Sequence, residues 1–351
     1  MRILAINPGA TSTKVAVFDD ETEVWRVSLA HTGADLAPFH AVMEQLDYRL
    51  ALIEKALADA SIEMGSIDAI CGRGGLMKPL VSGTYRISES TIEDLTNCTY
   101  GEHAANLGCC LAWALEKKYG IPSYFVDAPS TDERLDIARI SGFKGMERSG
   151  IFHVLNQKSM ARAAAEELSK PYEECSLIVV HMGGGTSVAA HKNGRVIDFY
   201  DCQSEGTFSI DRCGSLPVKG VIPLCFHTGM SESELRKAVL RDGGLYSYLG
   251  TRDFLEVEAR VKAGDEEATL IARAMAYQTA KDIGSMAAVL CYDVDAIVLT
   301  GGLAYSEWLC GEICRYIDKI APILLLPGEN EMQSMANGVL RVYRGTPALI
   351  Y

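Results

Sequence analysis

Two stretches of the chain place glycines and small hydroxyl residues directly after a short apolar run. The first is Asn7-Pro8-Gly9-Ala10-Thr11-Ser12-Thr13-Lys14, after Ile3-Leu4-Ala5-Ile6. The second is His181-Met182-Gly183-Gly184-Gly185-Thr186-Ser187, after Leu177-Ile178-Val179-Val180. A turn of this kind leaves several backbone N–H groups pointing into one concavity, which suits the oxygens of a phosphate. Two such turns facing each other across a cleft could grip successive phosphates of one nucleotide. A third turn, Thr300-Gly301-Gly302-Leu303-Ala304-Tyr305-Ser306, has two glycines where a strand hands over to a helix, so a flat base or sugar could approach the backbone closely. No G-x-x-x-x-G-K-[ST] string occurs, so the phosphate grip must come from paired hairpins rather than a P-loop. The candidate nucleotide contacts are Thr11, Ser12, Thr13, Lys14, Gly183, Gly184, Gly185, Thr186, Gly301, Gly302 and Tyr305. His181 either joins them or only positions its turn, and Lys14 either meets phosphate or faces solvent.

The elements that must position these turns read as strands. Arg2 to Phe18 alternates, breaks at Asn7 to Thr13 and resumes as Val15-Ala16-Val17-Phe18, the pattern of a β-hairpin, and Ser176 to Ala190 repeats it. A second repeat supports duplication: Asp68 to Leu76 matches Asp295 to Leu303 at six of nine positions, and each reads as strand, glycine turn, helix. Apolar residues at three- and four-residue spacing predict helices over His103 to Tyr119, Ile151 to Leu168 and Asp265 to Leu290. Strands and helices alternate, so the class is α/β with two duplicated domains. The expected division is 1–150 and 151–330, with Arg134 to Ser149 as a charged connection. A last helix, Glu331 to Tyr343 within 331–351, is expected to cross back onto the first domain.

Composition narrows the function. The chain has 351 residues, 48% hydrophobic and 23% charged, and a formal charge of −13. That length suits two domains or lobes with a sizeable core. The charge argues against a nucleic-acid partner, which requires a positive patch, so any anionic ligand must be held locally. The 11 cysteines include an adjacent pair, Cys109-Cys110, and a helix-spaced pair, Cys310 and Cys314, with no C-x-x-C; reduced thiols and no zinc site are expected. No apolar run reaches membrane-spanning length and the N-terminus does not read as a signal peptide, which predicts a cytoplasmic protein with no membrane partner.

The chain resembles the butyrate kinases of the acetokinase family. The resemblance rests on Asn7-Pro8-Gly9, Gly72-Arg73-Gly74-Gly75, Asp132-Glu133 to Arg139-Ile140-Ser141-Gly142, Ile151-Phe152-His153 to Asn156-Gln157-Lys158, His181 to Gly185 and Leu299 to Gly302, in that order. Tyr248-Leu249-Gly250-Thr251, Ala276-Tyr277-Gln278 and Pro327-Gly328-Glu329 extend it from residue 1 to about residue 343. It implies two duplicated ribonuclease H-like (actin-like ATPase) domains with a nucleotide cleft between them. It implies transfer of a phosphoryl group from ATP to butanoate, giving butanoyl phosphate and ADP, with Mg²⁺ and a homodimer or higher homo-oligomer. Carried over residue by residue, the catalytic set is Asn7, Arg73, Asp127, His153 and Arg212. The metal-linked acids are Asp127 and Glu331, with Glu329 the rival for the second place. In the duplication Arg73 stands where the other copy has Thr300, so one copy has gained a cation suited to an anionic acceptor. Asp127 could instead cap the segment that begins at Pro129, and His153 could be a packing residue at the start of a helix.

The chain departs from its relatives at two places. Ala10 replaces the usual serine of the first turn, and Ala128-Pro129-Ser130-Thr131 replaces a proline followed by apolar residues. The second change bears on acyl chain length, leaving acetate, propionate and isobutyrate as alternatives to butyrate. A nucleotide-gated binding protein of the same fold is the alternative from another class; it would need no arginine pair at the acceptor. A hydroxyl-acceptor kinase would need an aspartate base, for which Asp127 is available.

Overall fold

The computed structural model describes residues 1–148 and 150–351, and it divides into two units, Met1–Asp132 with Asn330–Tyr351, and Glu133–Glu329. In the first unit β1 (Arg2–Pro8), β2 (Ser12–Asp19), β3 (Thr22–Ala30), β4 (Ala69–Arg73), β5 (Thr84–Arg86) and β6 (Ser123–Val126) form the sheet. The second unit is built on β7 (Ser176–Met182), β8 (Thr186–Lys192), β9 (Arg195–Phe199), β10 (Ala296–Gly301) and β11 (Ile323–Pro327). β12 (Leu349–Ile350) returns to the first unit, whose sheet runs β12-β5-β6-β4-β1-β2-β3, while the second runs β11-β10-β7-β8-β9.

Leaving out β5 and β12, the two sheets have the same order and the same strand senses. β1, β4 and β6 are parallel, as are β7, β10 and β11, and each set is flanked by an antiparallel pair. The apolar runs explain the central strands. Ile3 to Ile6 and Leu177 to Val180 are wholly buried, which a strand covered on both faces requires. β3, at an edge, alternates instead: Trp25, Val27 and Leu29 turn toward the core while Glu23, Arg26 and Ser28 do not.

The expected helices form over Asn106–Tyr119, Val154–Glu167 and Glu266–Val289, the last capped by the Asp265 side chain accepting from the Ala268 N–H. The final helix, Glu331–Tyr343, belongs to the first unit, where Met332, Met335, Val339 and Leu340 are buried. Each such side chain contributes about 1.5–3 kcal/mol of burial free energy. Gly338 allows the close approach to β6, because a Cβ there would stand 2.4 Å from Val126 Cγ2.

Two expectations are corrected. The division falls after Asp132 rather than near residue 150, since Glu133 is tied to the second unit by buried Lys158 (2.6 Å) and the Leu135 N–H donates to the Ile197 carbonyl. The first glycine turn does not open a helix: after Arg73 the chain runs irregularly to β5, and the next helices are Glu89–Thr96 and Asn106–Tyr119. Gly74 and Gly75 are pressed against Ala128 and Asn106, with Cβ positions 2.7 and 2.5 Å from those side chains, so this turn is a packing contact. Its counterpart proceeds through Gly302–Tyr305 into Glu307–Ile317 as expected. Among the described residues no helix is long and apolar enough to cross a membrane.

Candidate active site

Parallel strands deliver their C-terminal ends to one edge of a sheet, and most of the singled-out residues lie at such ends. In the first unit Asn7 is near the end of β1, Arg73 ends β4 and Asp127 follows β6, with Arg73 in register with Val126. Glu331, the first residue of the last helix, joins two of them. Its Oε2 accepts from Asn7 Nδ2 at 2.7 Å, and its Oε1 lies 3.3 Å from Arg73 Nη2. Among the described residues Arg73 Nη1 is buried without a hydrogen-bond partner. A buried donor in that state is costly unless an anion or an ordered water satisfies it.

Asp127 takes a different part. It has φ +41, a left-handed backbone, and its buried Oδ1 accepts from Ser82 Oγ (2.6 Å) and the Gly83 N–H (2.9 Å). It thus fastens the Ser82–Gly83 loop. His103 is a residue that sequence reasoning passed over, read only as the start of a helix. Burial, then the Arg73 charge, lowers its pKa, and its Nδ1 accepts from the Ala105 N–H.

The first turn closes with the Gly9 N–H donating to the Ser12 carbonyl at 2.7 Å. Thr11 and Lys14 are exposed and Ser12 half-buried, but Thr13 is not available to a ligand. The Thr13 side chain is wholly buried, with its hydroxyl 2.8 Å from His31 Nε2 and accepting from Arg49 Nη1 at 3.0 Å. Strand alternation decides this: Thr13 faces the interior while its neighbours Ser12 and Lys14 face out. Arg49, also missed in the sequence, is buried and holds the Gly9 carbonyl as well, at 2.9 Å.

In the second unit His181 lies near the end of β7 and His153 immediately before the helix Val154–Glu167. Their rings stack at 3.9 Å and 17°. His181 Nδ1 is 2.9 Å from Asn156 Oδ1 and its Nε2 is 3.1 Å from Glu329 Oε1. The rival glutamates are therefore divided: Glu329 belongs to the second unit beside His181, and Glu331 to the first beside Asn7 and Arg73.

The second turn closes through the Gly183 N–H on the Gly185 carbonyl, and Ser209 Oγ donates to the Gly184 carbonyl at 2.6 Å. Thr186 is buried at the start of β8. Arg212 lies flat against the turn, where a Cβ on Gly185 would stand 2.2 Å from its Nη1. Its Nη1 donates to the Cys202 carbonyl, and it borders a polar cavity of about 690 Å³ with Lys237, Arg241 and Arg252. Gly301 has φ +87 and would set a Cβ 2.3 Å from the Met182 carbonyl oxygen, so only glycine fits. Gly302 faces open space, and exposed Tyr305 places its hydroxyl over Gly328.

Among the described residues no three His, Cys, Asp or Glu side chains gather into a metal cage. Both oxygens of Glu331 and Oδ1 of Asp127 are engaged as described, a donor set that fits Mg²⁺ kept mainly by water and substrate phosphates and touched by one protein carboxylate.

Comparison with known proteins bears on the same region. Residues 141–315 match the profile of the acetokinase family. Among solved structures, Porphyromonas gingivalis acetate kinase superposes with a TM-score of 0.81 at 19% identity, over 97% of this chain and 99% of that one. A propionate kinase from Francisella tularensis gives 0.76 at 17% identity, over 96% and 98%. Entamoeba histolytica acetate kinase gives 0.75 at 15% identity, over 96% and 98%. At such identities the likeness is one of fold: the chain has the duplicated actin-like ATPase architecture of acetate kinase.

Proposed function

We propose that this protein is an ATP-dependent carboxylate kinase that phosphorylates a short-chain fatty acid, butanoate first among them. The observation that carries the reading is Arg73, a half-buried cation whose buried Nη1 has no hydrogen-bond partner among the described residues, at the parallel-strand edge of one duplicated unit, where the other has neutral Thr300. Transfer brings a carboxylate against a γ-phosphate, so like charges must be neutralised within about 3.5 Å, a task for guanidinium groups and a metal ion.

In this reading a carboxylate oxygen attacks the γ-phosphorus in line, the new O–P bond forms as the bond to the β-phosphate oxygen breaks, and ADP leaves with the electron pair. The carboxylate is already ionised near neutral pH and needs no base. Arg73 and Arg212 neutralise the transferring group, and His153 donates a hydrogen bond to it. Thr11, Ser12, Lys14, the Gly183–Gly185 turn, Gly301 and Gly302 serve the nucleotide. Glu331, oriented by Asn7, would hold Mg²⁺, which would supply charge neutralisation for the transfer.

We propose further that the protein is a cytoplasmic homodimer or higher homo-oligomer. Supporting this is the helix Val218–His227, none of whose ten residues is buried, with Val218 at 72%, Ile222 at 52% and Phe226 at 77% exposure. Light scattering should give a multiple of 38.1 kDa for the native chain and a monomer for Phe226→Asp; a native monomer refutes the assembly.

The test of function is acyl hydroxamate formation from ATP, Mg²⁺ and hydroxylamine across two- to six-carbon acids. A maximum at four carbons supports butyrate, and a maximum elsewhere keeps the mechanism with another acid. ATP binding without hydroxamate from any acid overturns the reading in favour of a nucleotide-gated binding protein.

A further inference from the structure

We infer that a buried chain of directional hydrogen bonds, Tyr172 to His191 to Gln157 to Ser187, holds neutral His153 in the Nε2–H tautomer, so that it meets the reacting groups as a donor and not as a base. The inference deepens the role proposed for His153 and rests on it. The four residues touch no substrate in this scheme; they are positioning residues acting through the imidazole.

The direction of the chain is set at Gln157. Its Nε2 stands 3.0 Å from the Ser187 carbonyl oxygen and 3.1 Å from Ser187 Oγ. A carbonyl only accepts, so the amide nitrogen, not the oxygen, faces Ser187. Gln157 Oε1 therefore faces His191 Nε2, 3.1 Å away, and this nitrogen must carry a hydrogen. His191 is wholly buried, and desolvation, aided by the Lys158 and Arg162 charges, drives its pKa well below the usual value, which keeps the ring neutral. With its hydrogen on Nε2, its Nδ1 is an acceptor, and the Tyr172 hydroxyl lies 2.9 Å from it.

The other end follows. Ser187 is wholly buried and its Oγ already accepts from Gln157, while His153 Nδ1 lies 3.0 Å away. If Nδ1 carried the hydrogen, both bonds would end on Ser187 Oγ, and the buried hydroxyl hydrogen would have no acceptor among the described residues. With Ser187 donating to Nδ1 every member of the chain is satisfied, and the ring hydrogen sits on Nε2. The arrangement spans three elements, since Gln157 is on the helix Val154–Glu167 and Ser187 and His191 are two turns of the pleat apart on β8.

The test is a long-range ¹H–¹⁵N correlation spectrum of the full chain labelled at its 7 histidines, with the His153 signals identified by their loss in His153→Gln. The expected result in the unaltered protein at neutral pH is an unprotonated Nδ1 and a protonated Nε2 at both His153 and His191. In Ser187→Ala the His153 signals move toward a tautomer mixture, and kcat in the hydroxamate assay falls at least about tenfold with KM for ATP nearly unchanged; Ser187→Thr, which keeps a hydroxyl, preserves the tautomer. A protonated Nδ1 at His153 in the unaltered protein overturns the inference. So does a tautomer unchanged in Ser187→Ala. Because the spectrum is read without turnover, absence of hydroxamate would count against the proposed reaction alone.

Discussion

Replacing Arg73 by alanine removes the guanidinium that faces Glu331 at 3.3 Å and whose Nη1 lacks a partner among the described residues. If that nitrogen is held ready for the transferring phosphoryl group, its loss removes one preorganised donor, about 2.7–4 kcal/mol, or a 10²- to 10³-fold drop in kcat. Arg73→Lys keeps the charge without the planar fork and should recover only part of the loss. Stability should change little. The Glu331 side chain is 33% exposed and retains Asn7, so the lost ion pair costs no more than about 1 kcal/mol. That corresponds to a Tm shift of only a few degrees in a chain this long. Steady-state hydroxamate formation with butanoate, beside a thermal melt of each variant, separates the cases. Arg73→Ala within about fivefold of the unaltered enzyme, with a similar Tm, would refute the acceptor-side role. A large Tm drop accompanying the loss would show instead that Arg73 is a fold-supporting cation.

Lys158 is wholly buried against Glu133 at 2.6 Å, so Lys158→Met removes the cation that neutralises a buried carboxylate and should cost about 3–5 kcal/mol in chemical unfolding, while Lys158→Met with Glu133→Leu recovers part of it, the buried Val196 N–H then losing its acceptor; equal losses in single and double variants would refute the pairing. Burial pushes the Asp282 carboxyl up to about 6, although its Oδ2 accepts from the Thr207 N–H at 2.6 Å. A carboxyl whose folded pKa lies above its unfolded one favours the native state in its protonated form. The penalty is therefore absent below about pH 4 and complete above about pH 6, up to about 3 kcal/mol. Asp282→Asn, which keeps an acceptor oxygen, should raise Tm at pH 8 and leave it unchanged at pH 4; a gain independent of pH would refute the titration.

Much of the architecture was legible because its signals are local. A polar turn after an apolar strand marked both hairpins, and the repeated Asp-Ala-Ile and Gly-Gly-Leu strings marked the duplication. The helix Glu331–Tyr343 has the expected bounds, and three others fall within a few residues of theirs. The turn after Arg73 was misread because the glycines that open a helix in one copy serve close packing in the other, a difference that lies in Ala128 and Asn106, far along the chain. Thr13 was counted with its neighbours because composition alone does not say which face of β2 is covered; Arg49, 36 residues on, decides it.

The motif residues Asn7, Arg73, His153, His181, Arg212 and Glu331 could be proposed from the sequence, since the motifs that single them out are runs of neighbouring residues. Only the tertiary structure decided that Glu331 bridges Asn7 and Arg73 while Glu329, two residues earlier, stands beside His181. It alone placed Gln157 and His191 behind His153, through partners 30 and 34 residues apart. The reason is the range of the forces. Turns and amphipathic periods arise among near neighbours, whereas a hydrogen-bond direction, an unpartnered guanidinium or a shifted pKa depends on which distant strands and helices the folded chain brings within a few ångströms.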